Sequence, residues 1–122
     1  MKIAIGLEEE NYDSKVDKRF GRAGYFIILD DESNQYEIIE NDAKDEVTGA
    51  GLKVVKKLVS LGVEVIIAGE IGPKAETLIE EFEIPVYKLG ECTTVEEVLK
   101  NYHKGKLEKH LFSSQFSGLR MA

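Results

Sequence analysis

Two short apolar runs, Val63-Glu64-Val65-Ile66-Ile67-Ala68 and Ile84-Pro85-Val86-Tyr87-Lys88-Leu89, alternate with stretches whose apolar residues recur at helical spacing. Strands separated by helices cannot pair as hairpins, so they lie parallel in one sheet with the helices packed on its faces. The first helical stretch carries Leu52, Val55, Leu58 and Val59 on one side, follows Thr48 as a candidate cap, and stops near Gly62. The second starts at Pro73 and turns Ala75, Leu78, Ile79 and Phe82 to one face. The third opens at Thr93 or Thr94, where Thr94 and Glu97 have capping-box spacing, and carries Val95, Val98, Leu99 and Tyr102 before fading by Gly105.

The chain begins differently. Residues 2–7 read as a buried strand. Residues 24–30 and 35–40 read as an antiparallel hairpin around the turn formers Asp31-Glu32-Ser33-Asn34, and residues 41–48 form a polar loop. The expected order is β-β-β-α-β-α-β-α. It describes an α/β fold with a mixed sheet of about five strands, mostly parallel, in which one strand runs antiparallel to the rest. At 122 residues this is one domain. We expect it to span residues 1–111, with residues 112–122, which lack either periodicity, as a loosely held tail.

Ligands of such sheets bind beyond the carboxyl ends of the parallel strands. Three glycine-bearing segments fall near that edge: Arg19-Phe20-Gly21-Arg22, Gly49-Ala50-Gly51 and Gly69-Glu70-Ile71-Gly72-Pro73. Each glycine alone is explained as a cap or a tight connection. Three on one edge, beside Arg19 and Arg22, point to an anion site built from backbone N–H groups and helix starts. The same arginines also read as solvated charges offsetting Glu8, Glu9 and Glu10. No segment holds an obvious nucleophile, general base or set of metal ligands, so the residues describe a binding module and not an enzyme. A two-metal nuclease needs carboxylates on the central strands, and residues 2–7 have none. No Gly-Lys-Ser or Gly-Lys-Thr follows a strand, which excludes a Walker loop.

A formal net charge of −7, with lysines interspersed among glutamates, disfavours nucleic acid and anionic lipid as partners. No apolar run approaches the roughly 20 residues that cross a bilayer, and the short apolar start runs into glutamates, unlike a signal peptide. With Cys92 as the single cysteine, no internal disulfide forms. A cytoplasmic location follows as the expectation. His103 and His110 are too far apart in sequence for a helical metal pair and are expected on the surface.

Several motifs in order, Asp13-Ser14-Lys15-Val16, Arg19-Phe20-Gly21-Arg22-Ala23, Gly49-Ala50-Gly51 and Gly69-Glu70-Ile71-Gly72-Pro73, resemble the dinitrogenase iron-molybdenum cofactor biosynthesis domain family. That family includes small carriers of the nitrogenase cofactor or its precursor, and the resemblance covers most of the chain. It implies a three-layer α/β/α, ribonuclease-H-like fold and a non-enzymatic role holding an anionic iron–sulfur or iron–molybdenum-type cluster. The cluster would pass between donor and acceptor proteins. The implied site combines Arg19, Phe20, Gly21, Arg22, Gly49, Gly51, Gly69 and Gly72. One residue departs from the pattern: Arg19 stands where the family usually has histidine, and a guanidinium keeps its proton and cannot ligate a metal. It can instead pair with an anionic cluster. Cys92, just before the third helix, is a candidate soft metal ligand, although a lone cysteine is commonly a small buried hydrophobe. Two alternatives use the same chain without a cluster. One is a module for another anion, such as a phosphorylated metabolite; the other acts by protein contact through Phe112, Phe116 and Leu119.

Overall fold

The computed structural model describes residues 1–112. The elements follow the expected order: β1 (Lys2–Leu7), β2 (Tyr25–Asp30), β3 (Gln35–Glu40), α1 (Ala50–Ser60), β4 (Val65–Ala68), α2 (Pro73–Glu81), β5 (Val86–Lys88) and α3 (Val95–His103). They form a five-stranded sheet in the order β3-β2-β1-β4-β5. β1 pairs parallel with β4, and β4 with β5, whereas β2 is antiparallel to both β1 and β3. β2 is therefore the one reversed strand.

Alternation along the strands divides the core into two layers. Ala4, Phe26, Ile28, Ile66 and Val86 face Val54, Val55 and Leu58 of α1 and Ala75 and Ile79 of α2. Ile3, Ile5, Leu7, Ile27 and Ile67 face Val95 and Val98 of α3. The result is α/β/α: a side chain stands on one face of the sheet and its neighbour on the other, so both faces need a helix. Among the described residues no helix is long and apolar enough to cross a membrane.

The helix starts differ from expectation in one place. Thr94 is the N-cap of α3: its hydroxyl accepts from the Glu97 amide at 3.3 Å, and the Glu97 carboxylate accepts from the Thr93 amide at 2.7 Å. Thr48 caps nothing. Gly49 takes the N-cap position of α1 at φ 78, a left-handed conformation that costs glycine little, and no side chain caps this helix. Phe82, expected on the buried face of α2, lies beyond its last turn as C-cap and is 47% exposed. β5 is shorter than the apolar run around it because Pro85 has no amide to donate, although its carbonyl still accepts from Ile66 at 3.1 Å.

The C-terminal side holds what periodicity did not signal. Residues 108–110 run antiparallel along the outer side of β5, with Lys88 donating to the Glu108 carbonyl and His110 to the Val86 carbonyl, each at 2.8 Å. Phe112 follows into the α1–α2 core and is 6% exposed, so it belongs to the domain and is not part of a free contact surface. Phe116 and Leu119 lie outside the described residues. His110 is not a surface residue either: its Nε2 lies 2.9 Å from a Glu76 carboxylate oxygen on α2, and its ring packs edge-on to Phe112. His103 is half exposed, 3.6 Å from the Asp31 carboxylate.

Candidate functional site

After β1 the chain doubles back. Val16 bridges to Leu7, and the Asp17 amide donates to the Gly6 carbonyl at 2.9 Å. Buried Ser14 holds the bend, accepting from the Glu9 amide and donating to the Lys15 carbonyl. The chain then runs beside the segment that leaves β4: Phe20 donates to the Glu70 carbonyl, and Glu70 donates to the Lys18 carbonyl. Gly69 belongs to this crossing, because a Cβ there would stand 2.7 Å from the Lys18 carbonyl oxygen. Phe20 anchors the loop in the core, edge-on to Phe26.

Close approach continues into the helices. A Cβ on Gly21 would stand 3.2 Å from the Gly51 amide nitrogen, and one on Gly51 would stand 2.8 Å from the Ala75 Cβ. The loop, α1 and α2 are thereby drawn around a cleft of about 590 Å³ walled by residues 19–22, 47–52 and 70–75. Of the residues expected to form one site, Arg19, Phe20, Gly21, Arg22, Gly49, Gly51 and Gly72 line this cleft. Gly69 lies behind it as packing. Gly72 is different from its neighbours. Its extended backbone, φ −68 and ψ 157, suits any residue, and nothing lies within 4 Å of where its Cβ would be.

Both α1 and α2 open onto the cleft at their N-termini, and neither has a side-chain cap. The first-turn amides of Ala50, Gly51 and Leu52, and of Lys74 and Ala75, are therefore donors without the usual capping oxygen. The helix dipoles add partial positive charge at the same place. An anion between the two helix starts would meet donors from two directions.

The two arginines are held by the protein itself. Asp17, whose side chain is 4% exposed, takes Arg19 in a fork: Arg19 Nε donates to Oδ1 at 3.1 Å and Nη2 to Oδ2 at 2.9 Å, and the Arg19 amide donates to Oδ1 at 3.0 Å. These bonds to Asp17 raise the Arg19 guanidinium above its ordinary value. Arg22 Nη1 donates to the carbonyls of Lys44 and Glu46 and so fastens the 41–49 loop. Among the described residues, Nη1 of Arg19 and Nη2 of Arg22 keep no hydrogen-bond partner. Asn41 completes the scaffold, donating to the carbonyls of Gly21 and Ala23 and accepting from the Ala43 amide. Asp17 and Asn41 were not among the expected site residues. Asp17 had a signal in its place two residues before a loop arginine; Asn41 had only its place after a strand.

Cys92 is elsewhere. It is 6% exposed in the core under α3, and its sulfur accepts from Asn101 Nδ2 at 3.3 Å. It borders two other depressions, of about 550 and 330 Å³, and the smaller of these meets the glycine cleft at Arg19. Among the described residues no three His, Cys, Asp or Glu side chains are grouped to hold a metal ion. The donor set fits an anion taken through N–H groups, and it does not fit a cluster ligated by protein side chains.

Known proteins resemble this chain over most of its length. The sequence profile of one family, described as dinitrogenase iron-molybdenum cofactor, matches residues 1–105. The apo form of the orange protein from Desulfovibrio gigas superposes with a TM-score of 0.85 at 28% identity, over 91% of this chain and 93% of that one. A putative NifB protein from Thermotoga superposes with a TM-score of 0.78 at 39% identity, over 88% and 91% of the two chains. An uncharacterized protein of Methanocaldococcus jannaschii is 35% identical over 112 residues, 89% of this chain and 91% of the relative.

Proposed function

That this chain belongs to the dinitrogenase iron-molybdenum cofactor family is the premise from which we propose a non-enzymatic carrier whose glycine-lined cleft takes an anionic metal–sulfur cluster, of iron–sulfur or iron–molybdenum type, or its precursor. The observation that carries this reading is the convergence of two uncapped helix N-termini on a cleft that offers donors and, among the described residues, no histidine or cysteine. Such a cleft suits a cargo that arrives assembled, with its own sulfide ligands as hydrogen-bond acceptors. Amides of residues 50–52, 74 and 75 would donate to it, with Arg19 Nη1 and Arg22 Nη2 beside them. Gly72 leaves the space a Cβ would fill. Holding the cargo without covalent bonds suits loading from one protein and release to another in a reducing, cytoplasmic setting.

Anaerobic reconstitution with iron and sulfide tests the reading, with metal per chain measured beside the visible spectrum. Wild type should take up metal with charge-transfer absorbance, Arg19→Ala should hold less, and Cys92→Ala should match wild type. Loss confined to Cys92→Ala would move the cargo to the depressions under α3. The absence of a soft ligand in the cleft favours a second reading, in which the same donors bind a phosphorylated metabolite. A thermal-shift panel separates the two, because a ligand at about 100 times its Kd stabilises by about 2.7 kcal/mol. Stabilisation by phosphate esters in a protein that takes up no metal would select the second reading.

A further inference from the structure

The buried carboxylate beneath Arg19 has a consequence for which anions the cleft admits. Arg19 is 63% exposed at the side chain, yet two of its donors point inward to Asp17, which is 4% exposed. Among the described residues, the hydrogen bonds to the Asp17 carboxylate all come from Arg19. Swinging Arg19 toward a ligand would strand that buried charge, so the guanidinium stays in place. Its charge is then cancelled 2.9 Å away, on the side facing the protein. The remaining charged residues of the cleft are Arg22, Lys74 and Glu70, which sum to one positive charge in a chain of net charge −7.

We propose that Asp17 is a specificity-determining residue: by neutralising and fixing Arg19 it excludes compact oxyanions such as phosphate and leaves a cleft that selects large anions of diffuse charge. A compact anion is strongly hydrated and must be drawn from water by net positive charge. A large anion of diffuse charge loses less hydration and gains from many oriented donors. Cancelling one arginine therefore weakens the first more than the second. Discrimination of this kind needs an element that disfavours the wrong ligand, and Asp17 is that element. The inference rests on the carrier reading for the class of cargo, but its test uses phosphate alone.

Inorganic phosphate is titrated by calorimetry into wild type, Asp17→Asn, Asp17→Glu, Arg19→Gln and the Asp17→Asn/Arg19→Gln double variant, at low and at high salt. Wild type and Asp17→Glu should bind weakly, with little salt dependence. Asp17→Asn should bind roughly tenfold more tightly at low salt, as expected for one added charge partly screened by solvent. That gain should fade at high salt, and it should vanish in the double variant, because Asp17 acts through Arg19. Tight binding by wild type would overturn the inference and support the metabolite reading. Unchanged or weaker binding by Asp17→Asn, or an equal gain with and without Arg19, would also overturn it. Should Asp17→Asn fail to fold, Asp17→Ser carries the same comparison. Failure of metal uptake would leave these outcomes intact, so the two readings fail separately.

Discussion

At the scale of single residues, glycine serves two different ends on one edge of this molecule, and substitution separates them. Gly69→Ala drives a methyl group into the backbone of Lys18, a contact of 2.7 Å that neither partner can yield. It should cost roughly 1–3 kcal/mol in chemical denaturation. Gly72→Ala meets nothing in the protein and keeps an allowed backbone. It should raise stability by about 0.4–1 kcal/mol through the unfolded chain, and it should lower metal uptake if the cargo rests there. The sequence placed both glycines at turns and could not tell them apart, since the distinction lies in what a distant segment brings near. Arg19 was legible as a residue of interest. Its clamp on Asp17 was not, because a two-residue spacing in a loop does not state which way either side chain turns.

At the scale of elements, the caps show where local pattern is enough. Thr94→Ala removes the oxygen that satisfies the Glu97 amide and should cost about 1 kcal/mol in thermal or urea unfolding. Thr48→Ala should change almost nothing, because Gly49 has the N-cap position. From sequence both threonines were candidate caps, with only Thr94 at capping-box spacing from a glutamate, and the left-handed glycine after Thr48 decides against the first. The β2–β3 turn adds a pH dependence. The Glu32 amide donates to the Asp30 carboxylate at 3.0 Å, and with help from the neighbouring chain-terminal ammonium it holds that group below its ordinary value of 3.8. A carboxylate lowered on folding contributes stability above its unfolded value and loses it as pH falls through the folded value. Asp30→Asn should therefore be less stable than wild type at neutral pH, and the gap should close in acid below 3.8, as read by urea midpoints.

At the scale of the whole molecule, the alternation of strand and helix was enough to order the elements, and the early hairpin called for one reversed strand without saying which; the pairing makes it β2. The segment after α3 was not legible, since residues 106–112 have no period of their own and take their extended form from the edge of β5. Phe112 nonetheless ties that segment to the α1–α2 core, and Phe112→Ala should cost about 3–5 kcal/mol. A chain ending at residue 105 loses both the pairing along β5 and Phe112, and it should unfold earlier than wild type and associate, as read by size-exclusion chromatography and melting curves. The same segment also limits how this sheet can add strands. Within the described residues β5 has its outer side taken, and the open side belongs to β3, where Glu37 and Glu40 repel a second copy. A strand arriving on the β5 side would therefore meet the short stretch 108–110 instead of β5 itself.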